Sequence, residues 1–377
     1  MRLKSRLIHA GWEADPTTGA VNVPIYQVST FKQEAVGVHK GYEYARTGNP
    51  TRTVLESLIA DLEGAVRGFA FASGLAALTA LLMRYSAGDH LILGDDLYGG
   101  TFRLQSKVFQ RFNISATMVD TSNESAVRAA IQPATKAILL ESPTNPLLRV
   151  TDIRAVAELA HAHGLEVIVD NTFMTPYWQR PLELGADIVW HSATKYLGGH
   201  SDVVGGLVVV KDPAIGEELA FLQNAAGGIP GPQDCYLLVR GIKTLGVRME
   251  AHEANARRLA TWLQGQPTVR RVYYPGLVEH PGHSTQRAQA GGFGGMISFD
   301  VGEGALADQV LKRVRLFTLA ESLGAVESLI ELPARMTHAS IPREHREAIG
   351  VTDGLIRLSV GIEDPDDLIE DLAVALA

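Results

Sequence analysis

The sequence predicts an α/β protein with a mostly parallel sheet and helices on both faces, plus an N-terminal arm and a smaller α+β C-terminal domain. Three observations carry this. Buried-strand patterns alternate with amphipathic helix patterns between residues 90 and 212, and strand, helix, strand at that spacing means parallel strands joined by crossovers. A Gly/Pro loop, AAGGIPGPQD (225–234), is the best linker before a stretch that mixes strands and helices. The first 45 residues are apolar but irregular. Such a segment forms no core of its own, so it reads as an arm packed on a neighbouring subunit. The expected units are the arm (1–45), a sheet domain (46–240) and a C-terminal domain (241–377).

Taken in order, Thr51 is placed to cap a helix in which Leu55, Leu58, Ile59 and Leu62 share a face, and Gly64 to stop it. FASGLAALTALLMRYSAGD (71–89) is a small-residue turn feeding an apolar helix. The free N–H groups of its first turn, at Ser73, Gly74 and Leu75, make a phosphate cradle. HLILGDDLYGGTFR (90–103) is a strand, a turn and a helix start. KAILLESPTNPLLRV (136–150) is a buried strand running into a loop with two prolines. Thr151 is then expected to cap a helix carrying Ile153, Val156, Leu159 and Ala160, which Gly164 ends. EVIVDNTF (166–173), IVWHSATKYLGGH (188–200) and GGLVVVKD (205–212) supply three more strands. From Cys235 to about Leu263 one long helical pattern runs into the C-terminal region. There VRRVYY, GGMISFDV and LIRLSVGIE read as strands, and PDDLIEDLAVAL as a last helix starting at Pro365.

Composition narrows the class. The chain has 377 residues, 46% hydrophobic and 20% charged, as in ordinary globular proteins. A net charge of −8 leaves no basic surplus for a nucleic-acid partner. No apolar run approaches the roughly 20 residues that span a membrane, and MRLKSRLIHAG lacks the apolar core of a signal peptide. Cys235 is the only cysteine, which fits a reducing compartment. A cytoplasmic protein is expected. No metal constellation emerges: His161 and His163 lie two apart on a helix, and His280 and His283 flank a Pro-Gly turn with no third ligand. No GxxxxGK[ST] or GxGxxG stands between a strand and a helix.

The chemistry centres on Lys195. A lysine where a buried strand gives way to a loop is partly desolvated, which favours the neutral amine that attacks carbonyls. Ser192 and Thr194 flank it with hydroxyls suited to a phosphate. The strand before it ends in Asp170. An acid at one strand end and a lysine just after the next is the layout of a pyridoxal-phosphate (PLP) site, the lysine bonding the aldehyde and the acid pairing with the pyridine nitrogen.

VDNTF followed by SATKYLGGH resembles the Cys/Met-metabolism branch of the fold-type I PLP enzymes, and further motifs in that family's order run from about residue 20 to 365. The resemblance implies the fold-type I PLP-dependent transferase fold and pyridoxal 5'-phosphate as cofactor. It implies that backbone amides at Gly74 and Leu75 hold the phosphate and that Asn145 touches the ring hydroxyl. Tyr98, alone a turn tyrosine before two glycines, would stack on the pyridine ring and move protons near the leaving group. Tyr44 and Arg46, alone a surface pair, would bind the phosphate of the other subunit's cofactor. Arg357, alone a cross-strand ion-pair partner, would grip the amino-acid carboxylate, with Ser322 assisting near that carboxylate and Lys195. Arg103 would lie further along the wall, near the distal end of the substrate.

Within the family, Gly100 stands where methionine γ-lyases carry a cysteine. Glu321 stands where cystathionine γ-lyases and γ-synthases carry a glutamate and β-lyases tend to carry an uncharged residue. There, and at Glu43 in the arm, a carboxylate can hold the distal ammonium of cystathionine. The implied activity is γ-elimination from L-cystathionine to cysteine, 2-oxobutanoate and ammonia. γ-Replacement on an O-acylhomoserine stands next, then β-cleavage. An aminotransferase would share the lysine and aspartate but not the tyrosine-glycine-glycine stack. The implied assembly is a homo-oligomer, a tetramer whose active sites are shared across dimers.

Overall fold

A computed structural model describes residues 1–339 and 341–377. Seven strands make the larger sheet: β1 (Arg67–Phe71), β2 (His90–Gly94), β3 (Ser115–Val119), β4 (Thr135–Glu141), β5 (Glu166–Asp170), β6 (Ile188–Ser192) and β7 (Gly206–Val210). Their order is β1-β7-β6-β5-β4-β2-β3. β3, β2, β4, β5 and β6 pair in parallel, as the alternating pattern requires. β7 runs antiparallel to both β6 and β1. The stretch 193–205 between β6 and β7 holds no helix, so no crossover returns the chain to the starting edge.

The arm carries one short helix, α1 (Leu3–His9), which the irregular N-terminal pattern did not lead us to expect. Next come α2 (Pro50–Glu63), α3 (Gly74–Leu82) and α4 (Gly99–Lys107). Strand side chains alternate between faces, and the two faces are packed differently. Leu55, Leu58, Ile59 and Leu62 of α2 share a buried cluster with Val167, Val169, Val189, Leu207 and Val209. Leu78 and Leu81 of α3 share the other with Ile168, Ile188, Trp190, Val208 and Val210. Each such fully buried side chain contributes roughly 1.5–3 kcal/mol of transfer free energy.

A second sheet, in the order β10-β11-β12-β9-β8, comprises β8 (Arg271–Tyr273), β9 (Met296–Asp300), β10 (Thr318–Leu319), β11 (Leu329–Glu331) and β12 (Leu355–Ser359). It packs with the helices Gly304–Arg313 and Pro365–Leu376 in its own cluster. Pro365 sits in the first turn of the last helix, behind an Asp364 cap.

Three local expectations are corrected. Asn49, not Thr51, caps α2, its side chain accepting from the amides of Thr51 and Arg52. Thr51 Oγ1 instead donates to Pro24 O at 2.8 Å and accepts from Tyr26 N at 3.0 Å, tying the arm to α2. Asp152, not Thr151, caps the helix Ile153–Ala162. The long helix after Cys235 is two, Pro232–Ile242 and Leu245–Gln264. The break lets Arg248 turn back, donating to Gly241 O at 2.8 Å and to Tyr196 O at 2.7 Å. Gly241 is needed there, because a Cβ would stand 2.4 Å from Gly198 O in the lysine loop. Much of the arm's apolar surface is uncovered in the single chain: Val21, Ile25, Tyr26, Val28 and Val36 are exposed. Among the described residues no helix is long and apolar enough to cross a membrane.

Candidate active site

The parallel strands β4, β5 and β6 end side by side, with Glu141 opposite Asp170 and Asp170 opposite Trp190. The loops beyond them carry Asn145, Thr172 and Lys195, and the second sheet brings Arg357 over this edge. One cavity of about 340 Å³ results. Its walls include Ser73, Gly74, Leu75, Tyr98, Asn145, Asp170, Ser192, Thr194, Lys195, Glu321, Ser322 and Arg357.

Lys195 Nζ donates to Ser322 Oγ at 2.8 Å. Burial lowers the amine to about 8; the Arg357 cation adds to this, and Glu331 and Glu321 oppose it. Ser322 holds φ at 99°, a conformation that costs a non-glycine residue on the order of 1–3 kcal/mol and is retained where a site demands it.

At the other end, Ser73 caps α3 by accepting from Ala76 N at 3.0 Å. The amides of Gly74 and Leu75 have no acceptor within the helix. A Cβ on Gly74 would lie 3.0 Å from Ser192 Cβ, so glycine is what lets α3 approach the end of β6. Trp190 Nε1 donates to Gly74 O at 2.9 Å and fixes that approach.

Asp170 Oδ1 accepts from Thr172 N at 2.9 Å and Thr172 Oγ1 at 2.5 Å, and Oδ2 is left for the cavity. Burial raises the Asp170 carboxyl, while the Thr172 bonds and the charge of His191 pull it down. Its neighbour Glu141 is pushed well above the usual carboxylate range by burial and by Asp170. With two donors against one, Asp170 is the better held of the two as a carboxylate. Glu141 Oε1 also accepts from Tyr98 N at 2.9 Å. Tyr98 keeps its ring in the cavity wall because residue 100 is glycine: a Cβ there would stand 2.3 Å from Tyr98 Cε1.

Arg357 is buried, and burial lowers its basicity. It does form the cross-strand ion pair, lying opposite Glu331 in register with Nη1 3.0 Å from Glu331 Oε1. Nη1 also donates to Asn145 Oδ1 and Nη2 to Ser322 O, both at 2.8 Å. Among the described residues Nε has no partner. The Nε/Nη2 edge is therefore the one suited to a carboxylate.

Four expected residues lie outside this cavity wall. Glu43 and Tyr44 at the end of the arm, and Arg46 just past it, are exposed; Arg46 Nε donates to Asn224 Oδ1 at 3.2 Å and its guanidinium lies over the Tyr44 ring. Arg103 is exposed on α4. Sequence reasoning missed Glu141, Thr172, Glu331 and Thr337, all close to the site. Glu141 carries the same signal as Asp170, an acid closing a buried strand.

The donor set fits PLP: a glycine-lined helix N-terminus for the phosphate, a buried carboxylate for the ring nitrogen, a ring-sized tyrosine wall and a desolvated amine for the aldehyde. Comparisons agree. Residues 4–377 match the family model described as Cys/Met metabolism PLP-dependent enzyme. A cystathionine gamma-lyase of Bacillus subtilis (strain 168) is 60% identical over 376 residues, covering 100% of this chain and 99% of the relative. A cystathionine beta-lyase of Lactococcus lactis subsp. cremoris (strain MG1363) is 57% identical over 374 residues, covering 99% and 98%. The crystal structure of cystathionine gamma-lyase from Lactobacillus plantarum complexed with L-serine superposes with a TM-score of 0.98 at 55% identity, covering 100% of this chain and 98% of that one.

Proposed function

Since the chain belongs to the Cys/Met metabolism PLP-dependent enzyme family, we propose that it cleaves L-cystathionine by γ-elimination, consuming water and releasing cysteine, 2-oxobutanoate and ammonia. The observation that carries this reading is the shared wall of the cavity. Arg357 offers a carboxylate-binding edge, Glu321 a carboxylate for a distal ammonium, and Lys195 a low-basicity amine.

PLP, when bound, supplies the electron sink for the pair left at the substrate's Cα. Ser73, Gly74, Leu75, Ser192 and Thr194 would hold its phosphate, Asp170 its ring nitrogen and Asn145 its ring hydroxyl. Arg357 orients the substrate carboxylate through its Nε/Nη2 edge, held from behind by Glu331 and Asn145. Lys195 Nζ, steered by Ser322 Oγ, takes the proton from Cα and then serves at Cβ. Tyr98 delivers a proton to the sulfur leaving Cγ. Glu321, and Glu43 from a partner subunit's arm, hold the distal ammonium, and Arg103 lies toward that end. The exposed apolar arm packs on a second copy, where Tyr44 and Arg46 reach the partner's phosphate. The assembly is a homotetramer working in the cytoplasm, and the units are 1–45, 46–240 and 241–377.

β-Cleavage is the second reading, because a relative of that name stands within three percentage points of the γ-lyase in identity. Product analysis separates them. With cystathionine alone, cysteine and 2-oxobutanoate support γ-elimination, whereas homocysteine and pyruvate sink it. Activity confined to cysteine plus an O-acylhomoserine would make the protein a γ-synthase.

A further inference from the structure

Behind the cofactor edge lies a polar pair that the proposed reaction does not use. Glu63, the last residue of α2, and His191, on β6, are both fully buried, with His191 Nε2 2.7 Å from Glu63 Oε1. The same oxygen accepts from Asn171 Nδ2 at 3.0 Å, and Asn171 also donates to Gln179 O at 2.8 Å. Donors converging on one carboxyl oxygen, Asn171 Nδ2 and the facing His191 ring, favour the ionised form of Glu63. A carboxylate at a helix C-terminus also faces the negative end of the helix dipole. Fully buried, that charge requires a cation, and the group hydrogen-bonded to it that can become one is His191.

The placement gives the pair a purpose. Val189 and His191 face α2, whereas Trp190 faces α3, so His191 lies on the reverse face of the sheet from the row Glu141, Asp170, Trp190. That row sets two carboxyl groups on neighbouring strands, and like charges so close do not both ionise. Glu141 receives one amide, from Tyr98; Asp170 receives two donors from Thr172. The charge of His191 lowers the Asp170 carboxyl further, through the sheet.

We propose that Glu63 and His191 are positioning residues, a buried ion pair that assigns the negative charge of the Glu141/Asp170 row to Asp170 and thereby keeps the cofactor's ring nitrogen protonated. Glu63 holds the proton on His191, His191 biases Asp170, and Glu141 stays neutral. The inference rests on the family's cofactor and not on the choice of γ- over β-cleavage, so it survives either product result.

Two variants test it in the holoenzyme, Glu63→Gln and His191→Asn. The readouts are the dissociation constant for PLP and the nitrogen-15 shift of ring-labelled cofactor. In the parent the ring nitrogen is protonated. In both variants PLP binding weakens about tenfold, the scale of losing one nearby charge, and the nitrogen signal moves toward the unprotonated position. A fall in melting temperature with both readouts at parent values marks a structural pair only and overturns the proposal. If neither variant folds, neutron diffraction of the parent holoenzyme decides. Deuterons on both ring nitrogens of His191 and on Glu141, with none on Asp170, support the assignment. A singly deuterated His191 or a deuterated Asp170 overturns it.

Discussion

The basicity of Lys195 gives the sharpest quantitative expectation. Its amine is lowered from 10.5 to about 8, first by burial and then by Arg357. A lysine is reactive when neutral, so capture of an aldehyde should rise as pH passes upward through that value. At pH 7 about one amine in ten is neutral, against about three in ten thousand for an exposed lysine, roughly a 300-fold gain in the reactive form. The assay is the rate at which apoprotein binds pyridoxal, followed by absorbance from pH 6 to 10.5. The phosphate-free aldehyde keeps phosphate ionisation out of the profile. The expected midpoint lies near 8. Glu331→Gln should move it lower, because Glu331 opposes the depression. A midpoint near 10, indifferent to Glu331→Gln, would refute the claim that the cavity desolvates this amine.

Other consequences are equally direct. Gly100→Ala puts a methyl 2.3 Å from the Tyr98 ring, so kcat should fall about tenfold or more through ring displacement. The apoprotein's melting temperature should hold or rise, since alanine favours α4 by up to about 1 kcal/mol; unchanged kcat would remove Tyr98 from the ring-stacking role. Glu321→Ala should raise KM for cystathionine more than for a substrate without the distal ammonium, and equal effects would take Glu321 out of that contact. Lys195→Ala and Arg46→Ala subunits, each inactive alone, should recover activity when co-assembled, because one mixed site then has both residues intact. Mixtures as inactive as their parents would place Arg46 outside the partner's site.

What the sequence disclosed and what it hid divide along physical lines. Asp170 and Lys195 were legible because one closes a buried strand and the other follows the end of the next, and parallel strands gather such ends at one edge. Glu141 offered that signal too, but the proline-rich turn after it read only as a loop. Glu331 was harder: its partner Arg357 is on another strand, and only the register Glu331↔Arg357 joins them. The cap of α2 was legible in Asn49-Pro50, since proline favours the first helical position, yet Thr51 drew the reading. No local pattern marks the break between Ile242 and Leu245. Across it Arg248 reaches Tyr196 and Gly241, tertiary contacts that helix periodicity does not carry. Likewise nothing in the sequence joins Glu63 to His191, 128 residues apart, which the fold brings together.

The central claim is that one amine in this chain carries the cofactor. Borohydride reduction of the holoenzyme, followed by digestion and mass spectrometry, reads it directly. The account predicts a single pyridoxyl tag, on the peptide containing Lys195. A tag on a different lysine, or none in protein that retains cleavage activity, would contradict it.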